Sequence, residues 1–90
     1  MVHEHLLRGR NYARTARELA RLLNCDTRTI TGCVNRERMA GFPICSTNGP
    51  HPGYYMAATE KERAACVASL KGRAKEIYAA AQALETSSIE

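Results

Sequence analysis

Apolar residues recur three and four apart along two stretches of the chain, with two short apolar clusters between them. In the first stretch Ala16, Leu19, Ala20 and Leu23 share one face of a helix. Ile30, Cys33 and Val34, continued by Met39 or Ala40, share one face of a second. Asn24-Cys25-Asp26 interrupts the pattern between the two. Thr15 with Glu18 has the T-x-x-E spacing of a capping box: the hydroxyl accepts a backbone N–H while the carboxylate reaches back to the cap. Asp26 is a good N-cap for the second helix, which runs from about Thr27 to Met39. Gly41 stops that helix, with Pro43 just beyond.

The remaining elements follow from weaker patterns. Val2 to Arg8 reads as a short helix whose strong apolar residues are Leu6 and Leu7, followed by a loop from Gly9 to Arg14. Ile44 to Thr47 and Tyr54 to Ala57 read as strands flanking a turn-rich tip, Asn48 to Gly53. A hairpin this small must lean on the helices to be stable. Thr59 with Glu62 repeats the capping spacing and opens a long helix to about Leu84. Within it Val67, Leu70, Ala74, Ile77, Ala81 and Leu84 alternate by three and four, the coiled-coil spacing. Gly72 costs this helix about 1 kcal/mol relative to Ala, which the Ala-rich stretch after it offsets. Thr86 to Glu90 is expected to fray.

Ninety residues suit one domain with a modest core. We divide it into residues 1–57 and a C-terminal helix over residues 58–90 within the same compact domain. No apolar run approaches the roughly 18 residues of a membrane span. Met1-Val2-His3-Glu4-His5 lacks the basic-then-apolar layout of a secretory signal, so a cytoplasmic protein is expected. Cys25, Cys33, Cys45 and Cys66 form no C-x-x-C pair, which argues against a zinc ribbon or a thiol redox site. They read as reduced thiols acting as small hydrophobes. The three histidines offer little: His3 and His5 lie in a mobile-looking N-terminus, and His51 reads as an idle histidine at the hairpin tip. No Ser/His/Asp or Cys/His arrangement, phosphate-cradling glycine loop or paired-carboxylate site is apparent. An enzyme, a bound metal and a cofactor are therefore not expected.

Charge changes the picture more. The net charge of +4 is confined to residues 1–57, where eight Arg face four carboxylates, whereas residues 58–90 carry five charges of each sign. Arg is favoured for phosphate and guanine because its planar fork donates two parallel hydrogen bonds.

The basic part also holds a helix-turn-helix pattern from Ala16 to Asn35. Leu19 and Ala20 fall where the first helix packs on the second, and a larger residue than Ala20 would push the two apart. Cys25 takes the apolar place inside the turn, and Ile30 and Cys33 take the buried places of the second helix. Asn24 stands where glycine is usual, and asparagine is the next most tolerant of a left-handed backbone. A helix, a helix-turn-helix and then a hairpin form the winged-helix order. Over roughly residues 2–57 the chain resembles the winged helix-turn-helix DNA-binding superfamily. Asp26-Thr27-Arg28-Thr29-Ile30, Gly41-Phe42-Pro43-Ile44 and Gly53-Tyr54-Tyr55 look like those of bacterial and phage regulators. The first helix is shorter than usual for the group.

The expected fold is thus mostly α with a small β-hairpin (α+β), a winged helix-turn-helix followed by a long C-terminal helix. The resemblance implies that the second helix lies in the major groove and the wing, about Ile44 to Ala57, reaches a neighbouring groove or the backbone. Helical geometry puts Thr27, Arg28, Thr31, Gly32, Asn35 and Arg38 on or near the outer face. Arg28 suits guanine O6 and N7, and Asn35 suits adenine N6 and N7. Thr27 and Thr31 suit phosphate or a thymine methyl, and Gly32 permits close approach of the backbone. Arg14 and Arg17 are phosphate candidates. The expected partner is double-stranded DNA, in transcription regulation or a phage or prophage DNA transaction. A homodimer through the C-terminal helix and no membrane contact are also expected. The alternative is a protein–protein interaction module that uses the Val67–Leu84 helix.

Overall fold

The computed structural model of the chain describes residues 1–47 and 52–89. A capping box opens the first helix, α1 (Ala16–Leu23). Glu18 N–H donates to the Thr15 hydroxyl at 3.1 Å, and Thr15 N–H donates to the Glu18 carboxylate at 3.4 Å. Asn24 ends α1 in the left-handed region at φ 54° and ψ 51°. That turn lets Cys25 N–H reach back to Ala20 O and brings Asp26 into place. Asp26 Oδ1 then accepts Thr29 N–H at 2.8 Å, which caps α2 (Thr27–Met39). Gly41 stops α2 at φ 105°, a conformation open to glycine at little steric cost.

The apolar stripes meet in one core. Leu19, Ala20, Ile30 and Val34 from the helices pack with Ile44, Met56, Val2 and Leu6. Cys25 and Cys33 are half-buried against this cluster. Met39 and Ala40 do not continue the α2 stripe: Met39 is 90% exposed, and the buried place in the last turn belongs to Glu37. Helical spacing explains the exchange, because position 37 follows 30, 33 and 34 on the core face whereas position 39 points away.

The N-terminal reading needs correction. Val2 to Arg8 is not a helix but a single 3-10 turn, Val2–His5, and its core residues are Val2 and Leu6 while Leu7 is half exposed. The segment is tied down rather than mobile, since Val2 N–H and His3 N–H both donate to the Glu37 carboxylate. The loop from Gly9 to Arg14 contains a second 3-10 turn, Arg10–Tyr12, and ends in a two-residue strand, β1 (Arg14–Thr15).

The hairpin strands are β2 (Ile44–Ser46) and β3 (Gly53–Met56). They pair antiparallel, with Cys45 opposite Tyr55, and β1 adds to the other side of β3, giving the order β1-β3-β2. The tip residues 48–51, including His51, lie outside the described residues. Gly53 is needed because β1 lies so close: a Cβ there would stand 2.9 Å from Arg14 O.

The last helix is α3 (Glu60–Glu85), capped by the Thr59 hydroxyl. Its capping box is incomplete, because the Glu62 carboxylate accepts Ala58 N–H at 2.8 Å and Arg10 N–H at 3.1 Å instead. Cys66 packs under Cys45, Tyr55 and Ala57, a second apolar cluster between the sheet and α3. Leu70 is half-buried, and every described residue after it is exposed. The molecule is correspondingly long, 49 × 32 × 28 Å. The result is an α+β fold, a helix-turn-helix and hairpin followed by a long C-terminal helix. Among the described residues no helix is long and apolar enough to cross a membrane.

Candidate nucleic-acid interface

Ile30, Val34 and Glu37 fix the orientation of α2, and the opposite face stands in solvent. Thr27, Arg28, Thr31, Gly32 and Asn35 are all exposed there. The N-terminal end of this stretch is held by the Asp26 cap. The hydrogen bond from Thr29 holds the Asp26 carboxyl below the usual carboxylate range. Thr31 Oγ1 donates to Thr27 O at 3.2 Å. A Cβ at Gly32 would meet nothing within 4 Å, so the helix surface is open at that point.

Arg38 lies at the margin of that face, beside the hairpin. It is half-buried, its Nε donates to Ile44 O at 2.8 Å, and its Nη2 is buried without a partner among the described residues. Position 38 faces the hairpin, so this guanidinium ties α2 to β2. Arg17 is exposed on the first turn of α1. Arg14 is half-buried on β1 opposite Tyr54, at the sheet edge rather than on the helix. The structure thus carries Thr27, Arg28, Thr31, Gly32 and Asn35 exposed on α2, with Arg38 half-buried at the margin of that surface and Arg14 and Arg17 on β1 and α1.

The carboxylates within the two helices are all committed to backbone N–H groups. Glu18 serves the α1 cap, Asp26 the α2 cap, and Glu37 the N-terminal turn. Burial alone would raise the Glu37 pKa, but the N–H bonds from His3 and Val2 outweigh it and hold the carboxyl below its ordinary range. The His3 ring also bonds Glu37 and stacks on Phe42, with centroids 3.7 Å apart and planes 13° apart. Glu37 is the one acid in α2, so no carboxylate remains on its exposed surface. Sequence reading missed this clamp; the signal was an acid at a position that continues the 30, 33, 34 stripe.

A cleft of about 330 Å³ runs beside the exposed face, between α2, the hairpin and α3. Thr31, Asn35 and Arg38 form one wall, and Arg73 of α3 contributes to the other. Sequence reading assigned Arg73 nothing, because residues 58–90 are neutral in sum. The local run Lys71-Gly72-Arg73-Ala74-Lys75 was the available signal.

The thiols sit apart from this surface. Burial, then the neighbouring Cys66, pushes the Cys45 thiol up to about 11. Among the described residues no group of three or more His, Cys, Asp or Glu side chains is placed to hold a metal ion.

No protein-family description, no curated protein and no solved structure matches the chain.

Proposed function

We propose that this protein binds duplex DNA with sequence preference through α2, with the hairpin as an accessory contact. The observation that carries the reading is the separation of charge on the two helices. Arg17, Arg21, Arg28 and Arg36 are exposed, while each carboxylate from Thr15 to Met39 is engaged by backbone N–H groups. A polyanion with hydrogen-bonding base edges fits such a surface, because Arg supplies both phosphate attraction and bidentate recognition. The exposed threonines, Gly32 and Asn35 give that surface a pattern of donors and small side chains that a major groove accepts. Transcription regulation or a phage DNA transaction is the setting in which we expect it. The test is selection from a random duplex pool at low salt, followed by titration of the selected duplex at two salt concentrations. Recovery of no bound duplex ends this reading.

A second reading rests on α3. Ile77, Tyr78 and Leu84 are 70%, 67% and 75% exposed, an apolar stripe that the described residues leave in solvent. A second copy of the chain covers it well if the two helices run antiparallel. Each layer then sets a large residue against a small one: Ala74 against Leu84, and Ile77 against Ala81. A parallel pair instead sets Ala on Ala and Leu on Leu, which leaves gaps between crowded layers. The antiparallel register also puts Lys71 opposite Glu85 of the second copy. The two bodies attach about 35–40 Å apart at 1.5 Å per residue, comparable to the roughly 34–36 Å of one DNA turn. Such a dimer would suit two half-sites one DNA turn apart. A different protein on the same stripe would make the chain an interaction module.

A further inference from the structure

Arg73 lies on the one helix that the DNA-binding reading leaves out, yet it lines the same cleft as Thr31 and Asn35. The chemistry of that cleft is one-sided. Arg38 and Arg73 bring two guanidinium groups to it, and Ser46 of the hairpin brings a hydroxyl, that of Thr47 being bonded to the Gly53 backbone. Its described lining contains no carboxylate. Arg73 forms no salt bridge among the described residues. Arg38 already has its Nε on Ile44 O, while its buried Nη2 has no partner among the described residues. Two like charges brought to one cleft repel each other, and an anion between them relieves that repulsion.

We infer that this cleft receives a backbone phosphate of the bound duplex, with Arg73 as its principal cationic contact. The inference rests on the DNA-binding reading and extends it to α3. A phosphodiester suits the site better than a base. The cleft flanks the exposed face of α2, and beyond the Asn35 amide at its margin its donors are two charged forks and the Ser46 and Thr31 hydroxyls. It lies between the recognition helix and the hairpin, where a strand leaving the major groove passes on its way to the wing. Arg73 therefore fixes register and adds affinity for every sequence equally, while Arg28 and Asn35 discriminate.

The test combines Arg73→Ala with chemical neutralisation of single phosphates. A selected duplex is titrated with wild type, Arg73→Ala and Arg73→Lys at several salt concentrations. Arg73→Ala is expected to lower the salt slope by about one unit and to weaken selected and unselected duplexes by the same factor. Arg73→Lys is expected to keep the slope. Methylphosphonate substitution at one backbone position should weaken wild type but leave Arg73→Ala unaffected, a coupling that a purely structural role would not produce. If wild type binds the duplex and Arg73→Ala keeps both slope and affinity, the inference is overturned while the DNA reading stands. If wild type binds no duplex, the DNA reading itself has failed. Saturable binding of inorganic pyrophosphate that Arg73→Ala abolishes, with the duplex slope unchanged, would assign the cleft to a free phosphate compound and overturn the DNA contact.

Discussion

The Glu37 carboxylate joins the last turn of α2 to the N-terminal turn of the chain, with His3 N–H donating to Oε1 at 2.7 Å. Val2 N–H donates to the other oxygen at 3.0 Å, and the His3 ring rests on Phe42 just beyond the end of α2. One buried acid thus anchors the N-terminal turn, seats Val2 in the core and removes negative charge from the exposed face of α2.

Replacing that acid should destabilise the fold without altering the exposed face. Glu37→Gln keeps one carbonyl acceptor but turns an N–H₂ group toward a backbone donor, at a cost of about 1–3 kcal/mol. The pH dependence has a definite sign. Because the folded carboxyl titrates below its ordinary value of 4.5, its contribution is complete above that pH and is lost as the pH falls through the depressed folded value. Urea unfolding should show wild type well ahead of Glu37→Gln at neutral pH, with the gap closing in acid. An equal gap at all pH values would show that the N-terminal clamp is not carried by the ionised carboxylate.

Gly53 should tolerate no side chain. A Cβ there stands 2.9 Å from Arg14 O, 3.1 Å from Arg14 C and 3.2 Å from the Ala13 Cβ. Backbone atoms cannot rotate aside as a side-chain end can, so Gly53→Ala must push β1 off β3. We expect a loss of about 1–3 kcal/mol, measured by thermal or urea unfolding, and faster amide exchange across the Arg14–Tyr54 pair. Stability within about 0.5 kcal/mol of wild type would show that β1 is not held against β3.

The helical parts were legible because their signals are local. Thr15 with Glu18, Asp26, Asn24 and Gly41 each act on backbone groups within a few residues, and each does what its chemistry requires. What escaped was set by distant partners. β1 spans two residues and exists only because β3 offers it an edge, so no pattern announces it. The Val2–His5 turn carries little periodicity and is held by Glu37, more than thirty residues away. Arg38 shares a helical face with Thr31, but the hairpin returns beside it and takes its Nε. For the candidate site, helical geometry alone identified the exposed set from Thr27 to Asn35. The place of Arg73 depends on how α3 crosses the domain.

Arg28 and Arg17 should separate the two kinds of DNA contact. Arg28 is exposed near the capped start of α2, where base-edge contacts concentrate, and Arg17 is exposed on α1. Arg28→Ala should cost about 1–3 kcal/mol on the selected duplex and relax preference at one base position. Arg17→Ala should weaken all duplexes about equally and flatten the salt slope by roughly one unit. Titration of selected and scrambled duplexes at two salt concentrations distinguishes the pair. Uniform weakening by Arg28→Ala would reassign that residue to a phosphate.

The orientation of α3 in a dimer can be decided by charge. In the antiparallel register Lys71 of each copy faces Glu85 of the other, so the two-fold axis makes the contact twice. In a parallel pair, heptad geometry instead puts Lys71 beside Cys66, and Glu85 beside Ala80. Lys71→Glu therefore converts two attractions into two repulsions only if the helices run antiparallel. Exposed pairs are each worth about 0.2–1 kcal/mol, so the combined reversal should weaken the dimer by roughly one order of magnitude. Adding Glu85→Lys to the same chain should restore the attraction with its sign exchanged and recover the dimer. Ile77→Asp should give monomer regardless of orientation, because a charge in the central layer has no partner. Sedimentation equilibrium of wild type and the three variants is the measurement. A dimer indifferent to Lys71→Glu but broken by Ile77→Asp would establish the parallel arrangement. A monomeric wild type at micromolar concentration would leave the stripe to a different protein.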